Sequence, residues 1–160
     1  MQFYDFSFKT LQGQDYSLAS ARDKVCLIVN IARKCGYTPQ MNELQKIHED
    51  YRDRGLVVLG FPSNSFLFQE PGDSEEILCA YEADYRIDFP MMEKSSMLPM
   101  GMNPLFEWLS SVQPNTEAHG LIKWNFTKFL IDKQGQVRFR FGPATTPLQM
   151  IPQIETLLNE

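Results

Sequence analysis

"KVCLIVNIARKCGYTPQMNEL", residues 24–44, joins a continuous apolar run to the beginning of a helical pattern. The apolar part, residues 24–32, is rich in β-branched side chains and is typical of a parallel strand covered on both faces. After it, Thr38 is a predicted helix N-cap and Pro39 the first helical residue. A cysteine, Cys35, lies between this strand and this helix.

The next apolar segment completes a unit with the first. Gly55 is predicted to end the helix, and "LVVLGF", residues 56–61, reads as a second buried strand. Strand, helix and strand then form a βαβ unit with a right-handed crossover.

The remaining segments predict one α/β domain over residues 1–160. The order of elements indicates a central mixed β-sheet with helices on both faces, preceded by an N-terminal β-hairpin. The N-terminal hairpin is predicted to turn at Gly13 and Gln14, and a second hairpin to turn at "KQG". Helices are predicted over 74–83 and over 103–112, and Asn103 is the predicted cap of the second. A closing helix is predicted from Thr146 to Leu158, with Pro147 as its first helical residue.

Composition narrows the function classes. The chain has 160 residues, of which 43% are hydrophobic, and no apolar run approaches the length of a membrane span. Its net charge of −5 offers no basic face for nucleic acid. The first residues lack the pattern of a secretory signal, so we expect a soluble, cytoplasmic protein. The wide cysteine spacing fits neither a disulfide scaffold nor a paired-ligand zinc site, and neither a metal nor another cofactor is expected.

The three cysteines have different surroundings. Cys35 follows a strand and precedes a helix, where backbone N–H groups, the helix dipole and the adjacent Arg33 and Lys34 favour a thiolate, and where it would be exposed enough to meet a substrate. Cys26 lies inside the strand and is a core residue. Cys79 lies in a predicted helix, and its position in the sequence favours neither a structural nor a redox role.

A methionine-rich segment follows the second predicted helix. "MMEKSSMLPMGMN", residues 91–103, contains five methionines. It is interpreted as an adaptable packing loop, with a soft-metal or oxidant-scavenging surface as the alternative.

Four motifs carry a resemblance to a known family. "VNIARKCGYTPQMNEL", "LVVLGFPSNSF", "QEPG" at residues 69–72 and "IKWNFTKFLIDKQGQV" together resemble the glutathione peroxidase family, a branch of the thioredoxin-like fold. The resemblance implies that Cys35 is the peroxidatic residue and that Trp124 and Asn125 belong to the catalytic tetrad. Without it, Trp124 would be interpreted as a core aromatic. The family glutamine is replaced by Ser65, and Gln69 is a candidate to take its place.

The resemblance also bears on recycling and assembly. Cysteine members often carry a resolving cysteine nine residues before the proline of a later "FP" pair, and here that position is Tyr81. Cys79 lies two residues earlier, about 200° around a helix, so it could pair with Cys35 only after local unwinding. The short segment before Trp124 implies a monomer. His119 in that segment is expected to be a solvated residue, and His48 a surface or boundary residue.

The sequence therefore predicts a thiol-dependent peroxidase. Cys35 would reduce hydrogen peroxide or an organic hydroperoxide and become a sulfenic acid, with thioredoxin or glutathione as the electron donor. Two alternatives stay open. One is a general thiol–disulfide reductase, which is disfavoured because "KCGY" lacks a second cysteine. The other is a redox-sensing or interaction protein that turns over slowly because of Ser65.

Overall fold

The computed structural model describes residues 1–112 and 121–160. Its strands are β1 (Ser7–Lys9), β2 (Asp15–Ser17), β3 (Val25–Ile31), β4 (Leu56–Pro62), β5 (Lys128–Ile131) and β6 (Val137–Phe141). Its α-helices are α1 (Gln40–Tyr51), α2 (Ser74–Tyr85), α3 (Pro104–Ser111) and α4 (Ile151–Leu158), with short 3-10 turns at Phe3–Asp5, Leu18–Ala21, Arg52–Arg54 and Pro147–Met150. His119 lies outside the described residues.

The central sheet is mixed, as predicted. Its strand order is β4-β3-β5-β6, in which β3 and β4 are parallel and the other neighbours are antiparallel. The N-terminal hairpin of β1 and β2 forms a separate two-stranded sheet. Because β3 is central and fully buried, the segment that follows it emerges at the carboxyl edge of the parallel pair, where sites of open α/β sheets gather.

Side chains of β3 alternate between two apolar cores. Leu27 and Val29 pack with residues of α1, α2 and α4, whereas Cys26 and Ile28 pack with α3 and the N-terminal segment. This alternation follows from the two-residue period of a strand. Helices therefore cover both faces of the sheet, which confirms the predicted α/β arrangement.

Two helix ends follow their sequence signals. Gly55 adopts a left-handed φ of 101° after the Arg52–Arg54 turn, a conformation that glycine tolerates without steric cost. Asn103 caps α3, because its side chain accepts the backbone N–H of Leu105 at 2.9 Å.

Two predicted helix starts are wrong. Thr38 does not cap α1, which begins at Gln40; its hydroxyl instead binds within the preceding turn. The closing helix does not begin at Pro147, because residues Pro147–Met150 form a 3-10 turn and α4 begins at Ile151. Pro152 has no N–H to donate to the carbonyl four residues earlier, so the α-helical ladder cannot extend back through it.

None of the helices within residues 1–112 and 121–160 combines the length and apolar character needed to cross a bilayer. His48 on α1 is a boundary residue, as expected. Its Nε2 lies 2.9 Å from a carboxylate oxygen of Asp88, and burial lowers the pKa of its imidazole.

Candidate active site around Cys35

The turn between β3 and α1 holds Cys35 by local hydrogen bonds. Thr38 Oγ1 accepts the Cys35 N–H at 3.1 Å and donates to the Ala32 carbonyl at 2.6 Å. The Tyr37 N–H donates to Cys35 Sγ at 3.4 Å. The sulfur therefore faces a backbone donor, as its position between strand and helix predicts, and a donor there stabilises a thiolate more than a thiol.

Cys35 is less accessible than the sequence predicted. Its residue is only 8% exposed, and it packs in the apolar core that also contains Met41 and Phe126. The reason is the Thr38 hydrogen bonds, which fold the turn back over the end of β3.

Gln69 connects the Cys35 turn to Asn125. Its backbone carbonyl accepts the Lys34 N–H at 2.9 Å, and its side-chain Oε1 accepts Asn125 Nδ2 at 3.1 Å. Asn125 is fully buried, and its Oδ1 has no hydrogen-bond partner among the described residues. The structure therefore brings Gln69 to Asn125, whose buried side-chain amide keeps one acceptor unpaired within the part of the chain that the structure describes.

Asn30 holds the segment that carries Trp124 and Asn125. Its Nδ2 donates to the Trp124 carbonyl at 3.0 Å, and its Oδ1 accepts the Thr127 N–H at 2.9 Å. Its backbone carbonyl accepts the N–H of Phe126, which has a left-handed φ of 65°. Sequence reasoning missed Asn30, although a single polar residue in an apolar strand was a usable signal.

Trp124 is half-buried between the two apolar cores. Its ring lies 5.6 Å from the ring of Phe66, measured between centroids. It packs against the core that contains Cys35, so the structure places it in the same region of the molecule as the cysteine.

Ser65 makes its contacts elsewhere. Its hydroxyl accepts the Met97 N–H at 3.0 Å and lies 3.4 Å from the hydroxyl of Ser96. These contacts direct Ser65 towards the methionine-rich segment. Among the residues suggested for the tetrad glutamine, Gln69 is the one that contacts Asn125.

Glu70 is a fully buried carboxylate that sequence reasoning missed. Its Oε1 accepts both the backbone N–H of Arg33 at 3.2 Å and Arg33 Nε at 2.7 Å, and its Oε2 accepts the hydroxyl of Tyr81. We refer to Arg33, Glu70 and Tyr81 as the Glu70 cluster. Burial raises the pKa of Glu70 and raises the pKa of Tyr81 well above its usual value.

The Glu70 cluster corrects one expectation about charge. Arg33 was expected to favour a thiolate at Cys35, but its guanidinium donates to Glu70 and to the Pro71 carbonyl. A charge paired in this way contributes less to the field at a neighbouring sulfur.

The other two cysteines lie apart from Cys35. Cys26 is fully buried, and burial raises the pKa of its thiol to about 12. This confirms that Cys26 is a core residue. Cys79 is exposed on α2, whereas Ile77 and Tyr81 of the same helix are buried. The helix therefore turns Cys79 to solvent, and the structure does not bring it to Cys35.

The segment before Gln69 carries an unusual backbone. Leu67 and Phe68 have left-handed φ values of 56° and 54°, and they are 73% and 79% exposed. Large apolar side chains seldom adopt this conformation, which costs roughly 1–2 kcal/mol per residue.

The methionine-rich segment mainly packs. Met91, Met92 and Met97 are buried in the two cores, whereas Met100 is exposed. This placement favours the packing interpretation over a surface of clustered thioethers.

Comparisons with known proteins give the family. A family described as glutathione peroxidase matches residues 3–110. A glutathione peroxidase homologue of Halalkalibacterium halodurans is 46% identical over 158 residues, which are 99% of this chain and 100% of that protein. A glutathione peroxidase-like peroxiredoxin of Chlamydomonas reinhardtii is also 46% identical over 158 residues, with 99% and 97% of the two chains covered.

Solved structures agree with this sequence similarity. The crystal structure of GPX1 from T. cruzi is 29% identical and superposes with a TM-score of 0.78, with 99% of this chain and 97% of that chain covered. A thioredoxin family protein of Chlorobium tepidum is 19% identical with a TM-score of 0.72, over 96% of this chain and 92% of that one, a likeness of fold alone. The fold is therefore thioredoxin-like, and the chain belongs to the glutathione peroxidase family of oxidoreductases.

Proposed function

We propose that the chain is a thiol-dependent peroxidase in which Cys35 is the nucleophile. The Cys35 thiolate attacks one oxygen of hydrogen peroxide or an organic hydroperoxide, and the O–O bond breaks. The sulfur becomes a sulfenic acid, and the other oxygen leaves as water or an alcohol after it takes up a proton. The observation that carries the proposal is the chain of hydrogen bonds from the Cys35 turn through Gln69 to Asn125.

The amides of Gln69 and Asn125 have the chemistry that this step requires. Each carries two N–H donors and one acceptor, so the pair can turn so that Gln69 donates to Asn125 Oδ1. Asn125 Nδ2 is then free to donate to the thiolate or to the leaving oxygen, where negative charge develops. The family resemblance adds the indole N–H of Trp124 as a further donor.

A dithiol protein of the thioredoxin type or glutathione reduces the oxidised enzyme. The relatives in Chlamydomonas reinhardtii and Saccharomyces cerevisiae are named glutathione peroxidase-like peroxiredoxins. In the thioredoxin route, the Cys79 thiol attacks the Cys35 sulfenic acid, water leaves, and a disulfide forms. Because Cys79 faces solvent, α2 must open first, and the opening breaks the N-cap hydrogen bond from the Glu76 N–H to Asp73 Oδ1.

Peroxide consumption by cysteine variants tests this proposal. Cys35→Ser should abolish the reaction with either donor, while Cys26→Ala, the matched control, retains it. Thioredoxin with its reductase and glutathione with its reductase are compared side by side on the wild-type protein. Wild-type turnover in the Cys35→Ser variant would overturn the assignment of the nucleophile.

One observation favours a second candidate function. The hydroxyl of Ser65 contacts Met97 rather than Asn125, whose Nδ2 donates instead to Gln69 Oε1, so the site would depend on Gln69 in place of the family glutamine. A protein that forms the sulfenic acid but is reduced slowly would act as a redox sensor. Measurement of peroxide consumption over many cycles distinguishes the two functions, because a sensor shows one rapid oxidation of Cys35 but no sustained turnover with either donor.

A further inference from the structure

We propose that Glu70 is a positioning residue that holds both redox cysteines in their reduced-state positions. Through Arg33 it fixes the turn that carries Cys35, and through Tyr81 it fixes α2, which carries Cys79. This inference rests on the proposed peroxidase function, and it assigns a role to a buried carboxylate that does not touch the reacting atoms.

The first connection is to the Cys35 turn. Arg33 precedes Cys35 by two residues, and both its backbone N–H and its side-chain Nε donate to the same oxygen of Glu70. Its guanidinium also donates to the carbonyl of Pro71. Because two N–H groups of Arg33 donate to the same oxygen, a rotation of the chain at Arg33 would break at least one of the two hydrogen bonds. The pair therefore fixes the position and the direction of the chain there.

The second connection is to Gln69, the residue directly before Glu70. The Glu70 N–H donates to Asn64 Oδ1 at 2.9 Å, and the Gln69 carbonyl accepts the Lys34 N–H. Lys94 Nζ donates to the Gly72 carbonyl at 2.7 Å. The segment is therefore held at successive residues, and a shift of the Glu70 carboxylate would move the Gln69 amide relative to Asn125.

The third connection is to α2. Tyr81 is fully buried, and its hydroxyl donates to the Glu70 oxygen that Arg33 does not use. Cys79 lies on the opposite, exposed side of the helix. If α2 opens to bring Cys79 to Cys35, the bond from Tyr81 to Glu70 must break, so this bond opposes disulfide formation.

Glu70→Gln tests the connection to Cys35 and Gln69. The rate constant for oxidation of Cys35 by hydrogen peroxide is measured by sulfenic acid trapping, and alkylation of Cys35 by iodoacetamide is measured in parallel. We expect the rate constant for oxidation by peroxide to fall on the order of tenfold, which corresponds to an activation free energy higher by about 1.4 kcal/mol. The alkylation rate should be unchanged or higher. A carboxylate that only stabilises the fold would change both reactions together or neither, and either result overturns the proposal.

Arg33→Lys and Glu75→Gln complete this test. Arg33 is partly exposed, so the lysine variant is expected to fold even if Glu70→Gln does not, and it should show the same separation of the two rates. Glu75 is an exposed acid on α2, and Glu75→Gln should leave both rates unchanged. Wild-type protein that forms no sulfenic acid at all would overturn the proposed function, whereas equal rates in wild-type and Glu70→Gln protein would overturn this inference alone.

Tyr81→Phe tests the connection to α2. It removes one hydroxyl and keeps the ring, and Tyr85→Phe on the same helix is the matched control. After one equivalent of peroxide, mass spectrometry of the alkylated protein follows the linked peptides that contain Cys35 and Cys79. We expect Tyr81→Phe to convert the Cys35 sulfenic acid into this disulfide several-fold faster than wild-type protein does, with the rate of conversion measured from the sulfenic acid that has formed. Equal or slower disulfide formation, or none in either protein, overturns the role of Tyr81.

Discussion

The Gln69 side chain makes the contact with Asn125 that the side chain of Ser65 does not make. Its Oε1 contacts Asn125, whereas the Ser65 hydroxyl contacts Met97. A short hydroxyl cannot span the distance that a carboxamide spans, so the segment 69–72 supplies the amide instead. The residue that contacts Asn125 is therefore decided by the loop conformation.

Substitution of Gln69 distinguishes the two residues. Gln69→Met keeps the length of the side chain and removes its hydrogen bonds, so we expect the rate constant for Cys35 oxidation to fall on the order of tenfold. Ser65→Ala is the control and should change that rate constant little. Stopped-flow measurements with hydrogen peroxide check this, and a larger loss in Ser65→Ala would assign the catalytic role to Ser65.

Individual site residues differed in how well the sequence predicted them. Cys35, Trp124 and Asn125 were predicted as site residues because they stand in motifs that resemble the glutathione peroxidase family, and their roles stay predictions. Asn30 had a local signal, since it is polar in an apolar strand. Glu70 had none, because its burial depends on Arg33 and Tyr81, which reach it from 37 and 11 residues away in sequence.

The segment between β4 and α2 is the element that carries most of these contacts. It supplies Gln69 and Glu70, and it contains Leu67 and Phe68 in left-handed conformations. The strain lies directly beside the residues that bind Asn125 and Arg33. The hydrogen bonds of residues 69–72 therefore hold the loop in a conformation that its own side chains disfavour.

Glycine substitution measures this strain. Leu67→Gly and Phe68→Gly should each raise the free energy of unfolding by roughly 0.5–1 kcal/mol, because relief of the left-handed cost exceeds the entropy cost of glycine. Leu98→Gly is the control, since Leu98 is also exposed but has no positive φ, and it should destabilise the protein. Urea denaturation checks all three. Destabilisation by both loop substitutions would mean that the two side chains make contacts worth more than the strain.

At the level of elements, sequence patterns located strands better than helix starts. The apolar runs that became β3 and β4 were bounded to within one residue. The start of α1 was missed because Thr38 uses its hydroxyl for Cys35 and Ala32. The start of α4 was missed because the pattern from Pro147 onward was taken as one helix, although Pro152 interrupts the hydrogen-bond ladder.

The stability of the whole molecule is coupled to pH through Cys26. Burial raises the pKa of its thiol to about 12 in the folded protein, against about 8.5 in an unfolded chain. Above pH 8.5 the folded state therefore binds more protons than the unfolded state. Its stability must fall as pH rises, by up to about 1.4 kcal/mol per pH unit from this group.

Urea denaturation between pH 8.5 and about 10 checks this prediction, since tyrosines of the unfolded chain titrate only near the upper limit. Wild-type protein should lose stability across this range. Cys26→Ala should show a flatter pH dependence, whatever its absolute stability, because it lacks the Cys26 thiol. If the free energy of unfolding falls equally steeply with pH in both proteins, another titrating group causes the loss of stability at alkaline pH.

The exposed side chains of Leu67 and Phe68 also affect the association of one copy of the protein with another. At neutral pH the net charge of −5 keeps copies apart by repulsion, but that charge vanishes near the pI of about 5.1. The largely exposed apolar side chains of Leu67 and Phe68 can then form apolar contacts between two copies of the protein. We therefore expect self-association on acidification to begin at Leu67 and Phe68, directly beside the residues that contact Asn125 and Arg33.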